Sequence, residues 1–176
     1  MIIVLSGYMG SGKSLIGKKL AKKLNWTYLD LDEEIEKKQN MLIADIFSEK
    51  GEIFFRKTEN EVLKSCLNTK KNKIISLGGG TPCYGNNLNL IKENPNTTMV
   101  YLKVDVQTLL NRLQSQRHLR PLISHLEDEE KLDEFIRKHL FERQYYYMQS
   151  DLVIDASSAN PDEIAEEILQ SLKIKK

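Results

Sequence analysis

A parallel β-sheet covered by helices on both faces is the fold this sequence predicts, and three observations predict it. Short, β-branched apolar runs alternate with amphipathic stretches along the chain. The first run, Ile2 to Leu5, is apolar at every position, as a strand buried on both faces should be. A glycine-rich turn follows it at once and leads into an amphipathic stretch, the strand–loop–helix order of a phosphate-binding loop. With 176 residues and neither repeats nor low-complexity segments, the chain suits a single domain over residues 1–176.

Each element has its own signal. Beyond the turn, Leu15, Ile16, Leu20, Ala21 and Leu24 form an apolar stripe, with Lys18, Lys19, Lys22 and Lys23 opposite. Trp26 to Leu31 reads as a second strand that runs into the acidic pair Asp30 and Asp32. Helical stretches are expected over 32–39, 42–48 and 52–67. Lys73 to Leu77 is the third strand, entering Gly78-Gly79-Gly80 directly, and Thr98 to Lys103 is the fourth, followed by a helix that Asp105 can cap. Leu152 to Ile154 is the fifth strand, and Pro161 opens a closing helix, where a first-turn proline belongs. The least regular stretch, Gln114 to Asp128, is polar, basic at first and interrupted by Pro121; such a segment in a compact domain is a functional loop.

Composition narrows the function classes. Apolar residues make up 40% and charged residues 29%, as in an ordinary globular domain. A formal net charge of +1 gives no overall field toward nucleic acid or an anionic membrane, so neither is expected as a partner. Two cysteines, Cys66 and Cys83, make no disulfide framework and point to a reducing, cytoplasmic setting. No apolar run has the length of a signal-peptide core or a membrane span.

Gly7-Tyr8-Met9-Gly10-Ser11-Gly12-Lys13-Ser14 matches G-x-x-x-x-G-K-[ST] in full. Backbone N–H groups of Gly10, Ser11, Gly12, Lys13, Ser14 and Leu15, at the start of a helix, are expected to gather phosphate oxygens. Lys13 reaches the β- and γ-phosphates, and the Ser14 hydroxyl is placed to ligate Mg²⁺. A plain glycine turn is the alternative, and the full motif in the right context outweighs it. A GTP-hydrolysing switch should carry Asn-Lys-x-Asp, but the only Asn-Lys pair, Asn72-Lys73, is followed by Ile74 and Ile75. A small kinase remains.

Further motifs narrow the acceptor. Leu29-Asp30-Leu31-Asp32, Phe54-Phe55-Arg56-Lys57-Thr58-Glu59, Ile75-Ser76-Leu77-Gly78-Gly79-Gly80, Arg120-Pro121-Leu122 and Arg143-Gln144-Tyr145-Tyr146 follow the phosphate loop in that order. Together they resemble the shikimate kinases over most of the chain. The resemblance implies a five-stranded parallel sheet flanked by helices, a mobile lid at about 113–125 and an acceptor-binding helical region at about 32–60. It also implies transfer of the γ-phosphoryl group of ATP, with Mg²⁺, to the 3-hydroxyl of shikimate, giving 3-phosphoshikimate and ADP for aromatic amino acid biosynthesis, by a monomer.

The same resemblance gives the site residues. Arg56 and Arg143 would clamp the acceptor carboxylate, a task a guanidinium fork suits. On their own, both read more readily as surface arginines paired with Glu59 or Glu142. Glu59 would hold Arg56 in place. Asp32 would accept the proton of the attacking hydroxyl, unless it merely caps the following helix, and Asp30 would orient Mg²⁺ through water. Gly78, Gly79 and Gly80 would let backbone approach the substrate, with Phe47 and Phe55 as walls and Ser76 near the metal's water shell. Arg120 would be the lid arginine that stabilises the charge of transfer, and Arg112 would lie beside the adenine. Some relatives carry an arginine before the Asn-Pro near the end, where this chain has Ser157-Ser158-Ala159. Two other readings stand beside this one: another small kinase, acting on gluconate or a nucleoside monophosphate, and a nucleotide-binding module without chemistry.

Overall fold

The computed structural model describes residues 1–117, 122–126, 128–158 and 160–174. Five parallel strands, β1 (Ile2–Ser6), β2 (Thr27–Asp30), β3 (Lys73–Ser76), β4 (Thr97–Lys103) and β5 (Leu152–Asp155), lie in the order β2-β3-β1-β4-β5. The helices are α1 (Lys13–Leu24), α2 (Leu31–Gln39), α3 (Ile43–Leu67), α4 (Asn87–Lys92), α5 (Val106–Gln116), α6 (Glu129–Tyr147) and α7 (Pro161–Ser171).

The central strand explains why the sheet needs helices on both sides. Every residue of β1 is buried. Ile3 and Leu5 enter one apolar cluster with α1, α5, α6 and α7, whereas Ile2 and Val4 enter another with α2, α3 and α4. Burying a side chain of this size contributes about 1.5–3 kcal/mol, so a polar residue anywhere in Ile2–Leu5 would strike one core or the other.

Register decides where the site forms. Asp30 pairs with Ser76 across β2 and β3, and Leu5 pairs with the same Ser76 across β1 and β3. The phosphate loop, the acidic pair and the triple glycine therefore leave the sheet at the same height, at its carboxyl edge. That edge is where ligands bind in open α/β sheets.

Several expectations change on contact with the structure. Leu15 does not join the apolar stripe of α1 but is 52% exposed, and the buried face is Ile16, Gly17, Leu20 and Ala21. Stretches 42–48 and 52–67 are helical as expected: α3 consists of two helical pieces that meet at a kink at Gly51, whose φ of 78° and ψ of 171° leave the helical region. Helices α4 and α6 are absent from the sequence-based reading. The signal for α6 was the Asp128 cap, which accepts from the Glu130 N–H, together with Leu132 and Ile136 one turn apart, both buried. The many charged residues of this helix dilute that stripe. Asp105 caps α5 and Pro161 opens α7, both as expected, and Asn160 caps α7 in a full capping box with Glu163.

Gly17 marks the tightest helix–sheet approach. A Cβ at this position would lie 2.6 Å from Cε2 of Tyr28 and 3.1 Å from Oγ of Ser76. Tyr28 in turn donates to Asp30 at 3.1 Å, so its ring is not free to swing away. Alanine favours helix over glycine by about 1 kcal/mol, yet overpacking costs about 1–3 kcal/mol. Gly17→Ala is therefore expected to lower stability by about 1–2 kcal/mol, roughly 3–6 °C in a thermal melt. An unchanged or higher midpoint would show that Tyr28 yields without cost.

Candidate active site

The phosphate loop begins where β1 ends. Gly10 and Gly12 have φ of 81° and 94°, left-handed values that favour glycine, and they turn the chain so that α1 starts within the loop. Ser11 is buried, its Oγ is unpartnered among the described residues, and its N–H bonds to the Tyr8 carbonyl at 3.1 Å. The Lys13 ammonium donates to the carbonyls of Gly7 and Tyr8, at 2.8 and 3.0 Å, and is thereby kept over the loop. Arg112 crosses from α5 and donates to the Gly10 carbonyl at 3.2 Å. Its other terminal nitrogen donates to Ala156 and Ser157, at 2.9 and 3.1 Å. It thus joins the phosphate loop to the loop that follows β5.

The two aspartates straddle a strand–helix junction. Strand β2 stops at Asp30, and Asp30, not Asp32, caps α2, accepting from the Asp32 N–H at 3.1 Å. The capping alternative for Asp32 is thus overturned: Asp30 already occupies the cap. The Asp30 carboxylate also accepts from Ser14 Oγ at 3.0 Å, so the hydroxyl and carboxylate expected around Mg²⁺ meet. The Asp32 carboxylate instead turns toward the triple glycine, where a Cβ on Gly78 would lie 2.9 Å from Oδ1. Burial, reinforced by the charges of Asp30 and Glu59 and opposed by Lys13, pushes its carboxyl up from 3.8 to about 6.

The glycine run is the hub. A Cβ on Gly79 would lie 3.5 Å from the Met9 nitrogen, 3.7 Å from the Gly7 oxygen and 3.9 Å from Nη1 of Arg143. One on Gly80 would lie 3.4 Å from both terminal nitrogens of Arg56. Arg56 also pairs with Glu59 at 3.2 Å, as the alternative reading of a paired arginine requires, but Glu59 is itself 1% exposed. Glu59 further accepts from Thr81 at 2.7 Å and from Asn87 at 3.3 Å, so it ties Arg56 to the end of the glycine loop and to α4. Phe55 is buried and Phe47 half-exposed, with ring centroids 4.5 Å apart beside this end of the cleft. Ser76 is buried among Gly17 and Tyr28 rather than lying open to the loop.

Residues not expected from sequence hold the hub in place. In the run Tyr145-Tyr146-Tyr147, Tyr145 is exposed and Tyr146 packs on the second core, while Tyr147 is buried. The Tyr147 ring stacks on Tyr101, and its hydroxyl donates to the Gly79 carbonyl. Tyr8, within the phosphate loop, is also buried and bonds to Nδ1 of His139 at 3.3 Å. Burial pushes the Tyr8 phenol up to about 12, so it stays protonated, and likewise pushes the Cys83 thiol up to about 11, leaving it a poor nucleophile. Helix α6 thus touches the phosphate loop and the glycine loop while presenting Arg143 to both. No motif contained His139 or Tyr147 as a functional residue; only the fold brings them in.

Arg120 and Pro121 lie outside the described residues. Within the stretch expected as a lid, about 113–125, Leu113 belongs to α5 and is fully buried, as is Ile123. Arg117 donates to the Leu126 carbonyl at 2.8 Å.

A model of the shikimate kinase family matches residues 9–173. A shikimate kinase of Flavobacterium psychrophilum is 47% identical over 166 residues, covering 94% of this chain and 95% of that protein.

The chain belongs to the shikimate kinase family.

Solved structures agree. The shikimate kinase of Bacteroides thetaiotaomicron gives a TM-score of 0.91 at 29% identity, covering 99% of both chains. That of Acinetobacter baumannii, solved in complex with shikimate, gives 0.86 at 31% identity, covering 99% of this chain and 95% of that one. Family membership makes ATP the phosphoryl donor and an alcohol the acceptor. The fold and family read from the sequence both hold.

The raised Asp32 carboxyl carries a stability consequence for this shikimate kinase. A carboxyl near 6 in the folded chain and near 3.8 in the unfolded one contributes stability fully below about pH 4, lost as the pH rises to about 6. Asp32→Asn is therefore expected to be more stable than the parent at pH 7–8 by about 1–3 kcal/mol. This advantage should shrink as the pH falls from 6 to 4. Melts that differ equally at pH 4 and pH 8 would show that Asp32 carries no such strain.

Proposed function

We propose that this chain transfers the γ-phosphoryl group of ATP to the 3-hydroxyl of shikimate, with the phosphate loop at one end of the cleft and Arg56 with Arg143 at the other. The observation that carries this reading is the convergence on Gly78–Gly80. The phosphate-loop backbone, the Asp32 carboxylate and both guanidinium groups all lie within 4 Å of positions beside those three residues. An acceptor with a carboxylate at one end and hydroxyls at the other fits such a cleft. Its carboxylate would meet the two arginines and its hydroxyls the Asp32 side.

Each group then has a task. Gly10 to Leu15 hold the triphosphate through backbone N–H groups, and Lys13 moves from the loop carbonyls onto the β- and γ-phosphates. Asp32 accepts the proton of the attacking hydroxyl, and its raised pKa suits a base that works near neutral pH. Ser14 and Asp30 offer hard oxygen donors 3.0 Å apart, one hydroxyl and one carboxylate, a set that fits Mg²⁺ with its remaining waters. When bound, the ion supplies neutralising charge at the phosphate oxygens. Among the described residues no cluster of three His, Cys, Asp or Glu could cage a metal, which accords with an ion held in part by substrate. Arg112 would lie along the adenine side, and Arg120 would add charge to the transferring group upon lid closure.

Among the described residues no helix is long and apolar enough to cross a membrane. We place the enzyme in the cytoplasm, where the unpaired thiols Cys66 and Cys83 would stay reduced. A monomer suffices for the proposed site, since every group in it comes from one chain.

Coupled ADP release with shikimate, gluconate and nucleoside monophosphates side by side tests the acceptor. Turnover should depend on shikimate, and preference for another acceptor would reject the assignment. Asp32→Asn should lower kcat by about 10²–10⁴ with little change in ATP binding, and the parent's kcat/KM should fall as the pH drops through about 6, as Asp32 takes up its proton. Near-normal turnover in the variant would remove Asp32 as base. Arg143→Ala should raise the shikimate KM at least tenfold with ATP affinity nearly unchanged; an unmoved KM would release it from the clamp.

A further inference from the structure

Arg56 has two carboxylates of its own within reach. Glu52, one turn earlier on α3, lies 3.4 Å from Nε, and Glu59, one turn later, lies 3.2 Å from Nη1. Either could take one bidentate edge of the guanidinium and turn that edge away from a substrate carboxylate. Glu59 is partly occupied, since it also accepts from Thr81 and Asn87. Glu52, with a 54% exposed side chain, is not so restrained by its surroundings.

Beside these two contacts, the structure places a ring against the guanidinium plane. The central carbon of the Arg56 guanidinium lies 3.5 Å from the ring centroid of Tyr84, compared with 5.0 Å from that of Phe55. At the same point a Cβ on Gly80 would lie 3.2 Å from Cε2 of Tyr84 and 3.4 Å from both terminal nitrogens of Arg56. Ring, guanidinium and glycine backbone are therefore in mutual contact, and the terminal nitrogens stay beside the glycine loop. Tyr84 and Arg56 also line a groove of about 740 Å³ with Glu52, Lys57 and Asn60, which includes no phosphate-loop residue.

Resting on the reading that Arg56 grips the acceptor's carboxylate, we infer that Tyr84 is the positioning residue that, with Glu59 holding Nη1 from the other side, keeps the terminal nitrogens of this guanidinium beside the glycine loop and limits Glu52 to its contact with Nε. The face of the ring carries the effect, through cation–π attraction and flat packing. The hydroxyl is not needed for it. Without the ring, rotation about Cδ–Nε brings the guanidinium onto Glu52, and the acceptor must compete with that carboxylate.

Steady-state kinetics on the full chain, varying shikimate at saturating ATP and then the reverse, test this. Tyr84→Leu is expected to raise the shikimate KM about 3–10-fold, with kcat and the ATP KM within about twofold of the parent. Tyr84→Phe should match the parent within about twofold in all three. Adding Glu52→Gln to Tyr84→Leu should recover most of the lost shikimate KM, a rescue that a merely structural role would not produce. Should the leucine variant fail to fold, as judged by its melt, Tyr84→Met provides the same comparison with a more adaptable side chain. The inference falls if the ring-less variant keeps the parent's shikimate KM, if Tyr84→Phe loses as much as Tyr84→Leu, or if Glu52→Gln restores nothing. A parent with no shikimate turnover would instead reject the reading of the site, and the inference with it; parental turnover with an unmoved KM in the variants rejects the inference alone.

Discussion

Everything in the cleft depends on how closely the backbone of Gly78–Gly80 approaches its neighbours. At Gly78 the space a side chain would fill is taken by Asp32, and at Gly80 by Arg56 and Tyr84. Gly80 has an ordinary helical φ of −91°, and none of the three has a positive φ, so the requirement is for room. A β-carbon at Gly78 would meet the Asp32 carboxylate at 2.9 Å, closer than real β-carbons come, so that group would have to move. The spacing of Asp32, Arg56 and the phosphate loop around this point is therefore set by bare backbone at the end of β3.

Backbone that passes this close must be held, and the structure holds it from two sides. Buried Glu59 binds Thr81 at the exit of the loop, together with Asn87 and Arg56. Buried Tyr147 donates to the carbonyl of Gly79 from α6. Removing one partner from a buried network leaves the others unsatisfied, at a cost of about 1–3 kcal/mol for each such group. The network therefore does more than its individual bonds suggest. It ties the loop, Arg56 and helix α4 together through one buried carboxylate.

The sheet and the phosphate loop were legible because their signals are local. Ile2 to Leu5 is apolar throughout, and the eight-residue motif fixes both a turn and a helix start. The identities of Asp32, Arg56 and Arg143 came through family motifs; the residues alone left Asp32 with an equal claim to a cap and favoured surface pairs for the two arginines. What settles Asp32 is where β2 stops: one residue decides that Asp30 takes the cap and Asp32 turns to Gly78. Boundaries of that kind are the least legible feature of a sequence. Leu15 was misread because a stripe at helical spacing does not say where its edge falls. His139, Tyr147 and Tyr84 were invisible for another reason. Their partners lie 131, 68 and 28 positions away, as Tyr8, Gly79 and Arg56 respectively, and no periodicity encodes such meetings.

Helix α6 explains how so small a domain keeps its two ends in step. One face of it carries His139, Arg143 and Tyr147, each four residues from the next, so all three point the same way. His139 meets Tyr8 of the phosphate loop, Tyr147 meets Gly79, and Arg143 lies between them, with its guanidinium 5.7 Å from the Tyr8 ring. Any shift of α6 that moved Arg143 would also pull on the phosphate loop and the glycine loop. A long, flexible arginine is a poor positioning device by itself, because its rotamer entropy works against any single pose. Mounted between His139, half-buried, and Tyr147, fully buried, on one helix face, its base at least is fixed, and the remaining freedom lies in its side chain.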